Sequence, residues 1–232
     1  MLNDILNKLN ALSDPDKAAK SLRYFKTDKG EYGEGDIFIG LSAPQLRALS
    51  KEHQTLPVLD CFKLLKNKIH EARMLALFIL VLKFKKADPD QQTDIFQQYL
   101  QHSQFINNWD LVDCSAPHIS GPYLLHREKQ ILYKLATSDL LWDRRIAMLS
   151  CFSFIRDHQF EDALKLSKLL LNDKEDLIHK AVGWMLREIG KRDGEVERAF
   201  LDAHANTMPR VMLRYAIEKF NQAERQHYLS LK

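Results

Sequence analysis

Residues 71–80 read EARMLALFIL, and three later stretches start a similar pattern: NNWDLVDCSA from Asn107, DRRIAMLSCF from Asp143 and HKAVGWMLRE from His179. Each begins 36 residues after the one before. A fixed interval of this size is the signature of stacked helical repeats, each of which buries its apolar face only against its neighbours. The expected fold class is therefore all-α, a curved α-solenoid of paired helices. Residues at matching positions of such a stack line one continuous surface. The third positions are Arg73, Trp109, Arg145 and Ala181. Arginine, tryptophan and a carboxylate in register suggest a groove for an extended polyanion.

Composition is consistent with this reading. The chain has 232 residues, 45% of them hydrophobic, enough for a substantial core or a string of small ones. Lys plus Arg number 34 against 31 acidic residues, a net charge of +3, so a nucleic-acid partner would be marked by where the basic residues gather. Cys61, Cys114 and Cys151 are odd in number and sit in apolar helical contexts without a C-x-x-C pair, as expected of free thiols in a reducing cytoplasm. The amino-terminal stretch is amphipathic and lacks the layout of a signal peptide. The longest apolar run, Leu75 to Leu82, is too short to span a bilayer. A single domain over 1–232, soluble and cytoplasmic, is expected.

Apolar residues recur at helical spacing almost throughout. Helices are expected near 2–12, 15–26, 43–53, 56–66, 70–86, 89–102, 106–114, 127–137, 139–157, 160–171, 174–192, 195–205, 208–220 and 222–230, with inner helices starting near 71, 107, 143, 179 and 208. Pro44, Pro89 and Pro209 fall where a first helical turn accepts proline. Asp139, Asp173 and Gly194 open other helices. The exception is TDKGEYGEGDIFIG, residues 27–40, which reads as an ordered loop or a short hairpin. It lacks the Gly-Lys-Ser/Thr ending and the preceding strand of a phosphate-binding loop.

Trp109 and Asp113 are four residues apart and share a helix face; Trp184 and Arg187, three apart, share another. Arg144 and Arg145 open the long helix between them. If the repeats stack in register, these side chains face one groove. Asp113 occupies a register held elsewhere by Leu77, Leu149 and Met185, and a carboxylate there is costly unless it is paired or solvated in a cleft. A structural ion pair with Arg145 would also account for it. Trp142 reads as core. The nine histidines show no zinc spacing, so no metal is expected, and Ser-His-Asp chemistry lacks its nucleophile elbow. One carboxylate, two tryptophans and several arginines suit charge stabilisation over a bound backbone.

The combination NNWDLVD, WDRRIAML, KAVGWMLREIGKRD and PRVMLRYAIEKF, with YFKT and GLSAPQLR before them, resembles the AlkD-type DNA alkylation-repair glycosylases, which are built of HEAT-like repeats. The resemblance runs from about Leu22 through most of the chain. It implies that Trp109, Asp113 and Trp184 form the catalytic face. It also implies that Arg145, Arg187 and Arg144 contact DNA, with Tyr24 matching an aromatic residue of an amino-terminal helix. The partner implied is double-stranded DNA containing N3- or N7-alkylated purines, met by a monomer without cofactor. The same superfamily contains non-enzymatic binders of branched DNA, some with an inserted hairpin. A helical-repeat protein-interaction scaffold is the alternative from another class.

Overall fold

The computed structural model describes residues 2–231. Among these, the regular structure is fifteen α-helices and three 3₁₀ turns, and the sole strand-like pairing is one isolated parallel bridge between Ile37 and Ile69. The all-α class read from the 36-residue interval is the class observed. No helix among the described residues is long and apolar enough to cross a membrane. Repeats that touch only their neighbours share no single core, and the contacts here fall into two compact units, Met1–Ser115 and Ala116–Lys232.

The first unit contains α1 (Leu2–Ala11), α2 (Pro15–Tyr24), α3 (Ala43–Glu52), α4 (Val58–Leu65), α5 (His70–Lys86), α6 (Pro89–Gln101) and α7 (Trp109–Asp113). Its centre is α5, against which α3 and α4 pack. The unbroken apolar run of α5 is explained by this position: residues from Ala72 to Val81 are all buried. Each large aliphatic side chain sealed in this way contributes about 1.5–3 kcal/mol. Asp14, Ser42 and Asp88 start α2, α3 and α6 just ahead of a proline in the first turn, and the Asp14 and Asp88 carboxylates accept from the backbone N–H groups of Lys17 and Gln91.

The second unit contains α8 (Ser120–Leu124), α9 (Gln130–Ala136), α10 (Leu141–Arg156), α11 (Glu161–Leu169), α12 (Asp176–Gly190), α13 (Gly194–His204), α14 (Arg210–Ala216) and α15 (Gln222–Ser230). The inner helices follow chain order, α10 packing on α12 and α12 on α14; α9 and α11 flank α10, and α13 flanks α12. Helix α8 has no counterpart in the sequence expectation, which places no helix between 114 and 127. Pro122 falls in its first turn. Gly121 is where the backbones meet: a Cβ there would lie 2.7 Å from the Ser150 carbonyl of α10.

The 27–40 segment is a loop of successive turns without the hairpin its glycines and Ile37-Phe38-Ile39 allowed. Backbone hydrogen bonds hold its end against the start of α5: Ile37 N–H donates to Lys68 O at 3.3 Å and His70 N–H to Ile37 O at 2.8 Å. The buried Glu71 carboxylate accepts from the N–H groups of Ile39, at 3.0 and 3.1 Å, and Gly40, at 2.7 Å. Gly40 has φ +86°, and a Cβ there would overlap the Asp14 carbonyl oxygen.

Candidate active site

Trp109 opens α7 and Asp113 closes it, so the pair expected on one face is four residues apart on a helix of only five. Asn108, extended at φ −151° and ψ 155°, starts the helix later than the pattern from residue 106 suggested, and its side-chain oxygen accepts from Trp109 N–H at 2.8 Å. Leu77, Leu149 and Met185 are 0% exposed, whereas Asp113 is half-buried. Arg73 and Arg145 are 4% and Ala181 0% exposed, whereas Trp109 is half-buried. Both positions are sealed in the sister helices and partly open at α7.

Tyr24, at the end of α2, is 66% exposed and meets the Trp109 ring edge-on at 5.9 Å. The next residue, Phe25, stacks on Trp109 at 5.5 Å and 24°. Helix α2 buries none of its residues and carries Lys17, Lys20 and Arg23. An unburied basic helix ending in an exposed tyrosine beside a tryptophan can offer cations and ring faces to a sugar-phosphate chain.

Behind Trp109 lies a buried polar cluster that the sequence reading did not pick out. His70 Nδ1 is 3.2 Å from Asp36 Oδ2 and its Nε2 is 2.8 Å from Asp110 Oδ2. Arg73 pairs with Asp36 Oδ1 at 2.7 Å, and Asn107 donates to the same oxygen at 3.3 Å. Burial alone would lower the His70 ring's pKa, but the Asp110 carboxylate, its hydrogen bond and that of Asp36 outweigh burial and raise it. Burial alone would raise the Asp36 carboxyl, but hydrogen bonding to His70 and the nearby Arg73 and His70 charges hold it below its ordinary value. One signal was available: His70, Glu71 and Arg73 are ionisable residues gathered at the start of an otherwise apolar helix.

The remaining candidates lie in the second unit. Arg144 donates to Asp173 through Nε at 2.6 Å and to the carbonyls of Ser138 and Asp139 through Nη1 at 2.9 and 3.0 Å. Arg145, buried on α10, donates to the Leu177 carbonyl of α12. Trp184 is half-buried on α12, donates to Glu188 at 3.2 Å and lies 6.1 Å from the Phe152 ring. Arg187 pairs with Glu218, and its Nε is buried without a hydrogen-bond partner. Trp142 is 5% exposed, the core residue it was read to be. Cys61 and Cys151 are buried free thiols, and burial pushes the Cys61 thiol up to about 12. Among the described residues no group of three or more His, Cys, Asp or Glu side chains could hold a metal ion.

A sequence profile of a family described as "DNA alkylation repair enzyme" matches residues 5–220. Among solved structures, a predicted DNA alkylation repair enzyme from Enterococcus faecalis superposes with a TM-score of 0.69 at 19% identity, covering 90% of this chain and 97% of that one. AlkD2 from Streptococcus mutans gives a TM-score of 0.56 at 16% identity, covering 96% and 100%. At these identities the likeness is one of fold. No curated protein sequence matches the chain significantly.

Proposed function

Because the chain belongs to the DNA alkylation repair enzyme family, we propose that it is a monofunctional DNA glycosylase. Its substrate is duplex DNA carrying cationic N3- or N7-alkylated purines, and it hydrolyses their N-glycosidic bond. The observation that carries this reading is the opening at α7 of two positions sealed in its sister helices, filled by Trp109 and Asp113. A purine alkylated at either nitrogen is positively charged and leaves without prior protonation. The charge that develops during cleavage is on the deoxyribose. Asp113 stabilises that oxocarbenium-like sugar and orients the attacking water, whose oxygen bonds to C1′ and whose proton passes to solvent as the neutral base departs with the bonding electrons.

Trp109 and Trp184 present ring faces to the sugar-phosphate chain and favour the cationic lesion through their quadrupoles. Tyr24, Arg144, Arg145 and Arg187 belong to the DNA-binding set: Arg144 and Arg187 address phosphates and so register more than base identity, while Arg145, 4% exposed, supports that surface from within α10. The base is cleaved through contacts to its backbone, without extrusion into a deep pocket. The protein acts as a monomer in the cytoplasm, with no cofactor. The direct test is chromatographic detection of free methylated purine released from methylated duplex DNA. Release well above spontaneous depurination is expected. Tight duplex binding with no release would instead favour a non-enzymatic DNA binder.

A further inference from the structure

We propose that His70 is a positioning residue for the Trp109 surface: its ring, clamped between Asp36 and Asp110, sets the plane on which Phe25 packs, and Phe25 fixes the Trp109 indole. The inference rests on the reading of Trp109 as a DNA-facing residue. His70 is 2% exposed, so it cannot touch substrate and must act through its neighbours. Two routes lead from it to α7.

One is covalent. Asp110, held at 2.8 Å by His70 Nε2, follows Trp109 directly in the first turn of α7. The other is a packed layer of rings. His70 stacks on Phe38 at 4.5 Å and 23° and meets Phe25 at 5.1 Å and 34°; Phe25 stacks on Phe38 at 5.0 Å and 12° and on Trp109 at 5.5 Å and 24°. Two of these partners, Asp36 and Phe38, come from the glycine-rich segment, which thereby becomes part of the site's support. A five-residue helix has little internal rigidity, because few of its backbone groups find partners within it. Its orientation must come from outside, and His70 supplies a tie to its first turn together with a surface behind its tryptophan.

The charged groups facing the ring are Asp36 from the loop, Asp110 from α7 and Arg73 from its own helix, while Phe25 and Phe38 face it without charge. Only the doubly protonated ring donates to both carboxylates at once. Its raised pKa keeps that form present above the ordinary histidine range. Loss of the proton leaves one carboxylate facing a bare ring nitrogen, so the tie at one end is lost.

The test follows the Trp109 indole N–H resonance, identified by its disappearance in Trp109→Phe, together with the His70 ring signals during a pH titration of the unmutated protein. The indole resonance should shift with the same midpoint as His70, above about 6.5. Asp110→Asn should move both midpoints down together, a coupling that packing alone would not produce. Under single-turnover conditions His70→Gln should slow base release from methylated duplex about tenfold to a hundredfold. An indole resonance that stays still while His70 titrates overturns the proposal, whether or not His70→Gln folds. So does an unaltered release rate in a folded His70→Gln protein. If the two midpoints coincide but the unmutated protein releases no base, the positioning role stands and the glycosylase reading fails.

Discussion

At Asp113 a carboxylate stands where Leu77, Leu149 and Met185 fill the same register, and it is only half-buried where they are sealed. That difference in depth spares the ion much of the desolvation cost it would meet in the sister positions. Glu197 shows the opposite case. It is 2% exposed, one of its oxygens has no donor, and burial lifts its carboxyl to about 8 against the opposing pull of Arg198 and Arg187. The unfolded chain releases this proton near the ordinary 4.5, and the folded chain keeps it to about 8. The native state therefore holds the extra proton between those values, and stability falls as pH rises through the window. Glu197→Gln should flatten that slope and raise the melting temperature near pH 8; melting curves across the window check this, and an unchanged slope would reject it. Asp36 gives a contrasting prediction. Asp36→Ala would leave the buried Arg73 guanidinium without its counter-charge, at a cost of about 3–5 kcal/mol in urea unfolding. A loss below about 1 kcal/mol would show that the pair contributes little.

Among the elements, most helices were legible because their apolar positions recur with the helical period and their starts carry caps and prolines. The expected starts missed by two or three residues where the backbone is still extended: α7 begins at Trp109, after Asn108, and α10 at Leu141, after Leu140. Helix α8 was hidden because Gly121 serves close packing, which sequence alone does not distinguish from a turn. The loop from 27 to 40 was legible as irregular, but its purpose was not. That purpose depends on Asp36 meeting His70 and Arg73, partners 34 and 37 residues away. Gly40→Ala tests the loop's tie to α2. Its positive φ and the overlap with Asp14 O predict a clear drop in melting temperature, and an unshifted melt would contradict the geometry. On α10 and α12, Arg145→Ala should lower melting as well as DNA affinity, because its guanidinium also bonds the Leu177 carbonyl. Arg187→Ala should weaken binding to all duplex sequences alike and reduce the salt dependence. An effect confined to particular sequences would place Arg187 on base edges instead.

For the molecule as a whole, the net charge of +3 identifies no partner, and the fold alone identifies no chemistry. Family membership places the chain among DNA alkylation repair enzymes, and the depth of Trp109 and Asp113 is the reason for the proposal that they carry the chemistry. The proposed reliance on a cationic leaving group has a consequence: neutral damaged bases, which need protonation to depart, should be released far more slowly than methylated purines by the same preparation. Comparable rates on both would require a general acid that the assigned residues do not include. The most direct test remains the charge on Asp113. Single-turnover release of methylated purine and thermal melting are to be measured on one preparation each of the native protein and Asp113→Asn. The account predicts that folding and duplex binding persist while release falls by about two orders of magnitude or more toward the spontaneous rate. A lowered melting temperature with unchanged release per folded molecule would contradict it and leave Asp113 a structural residue.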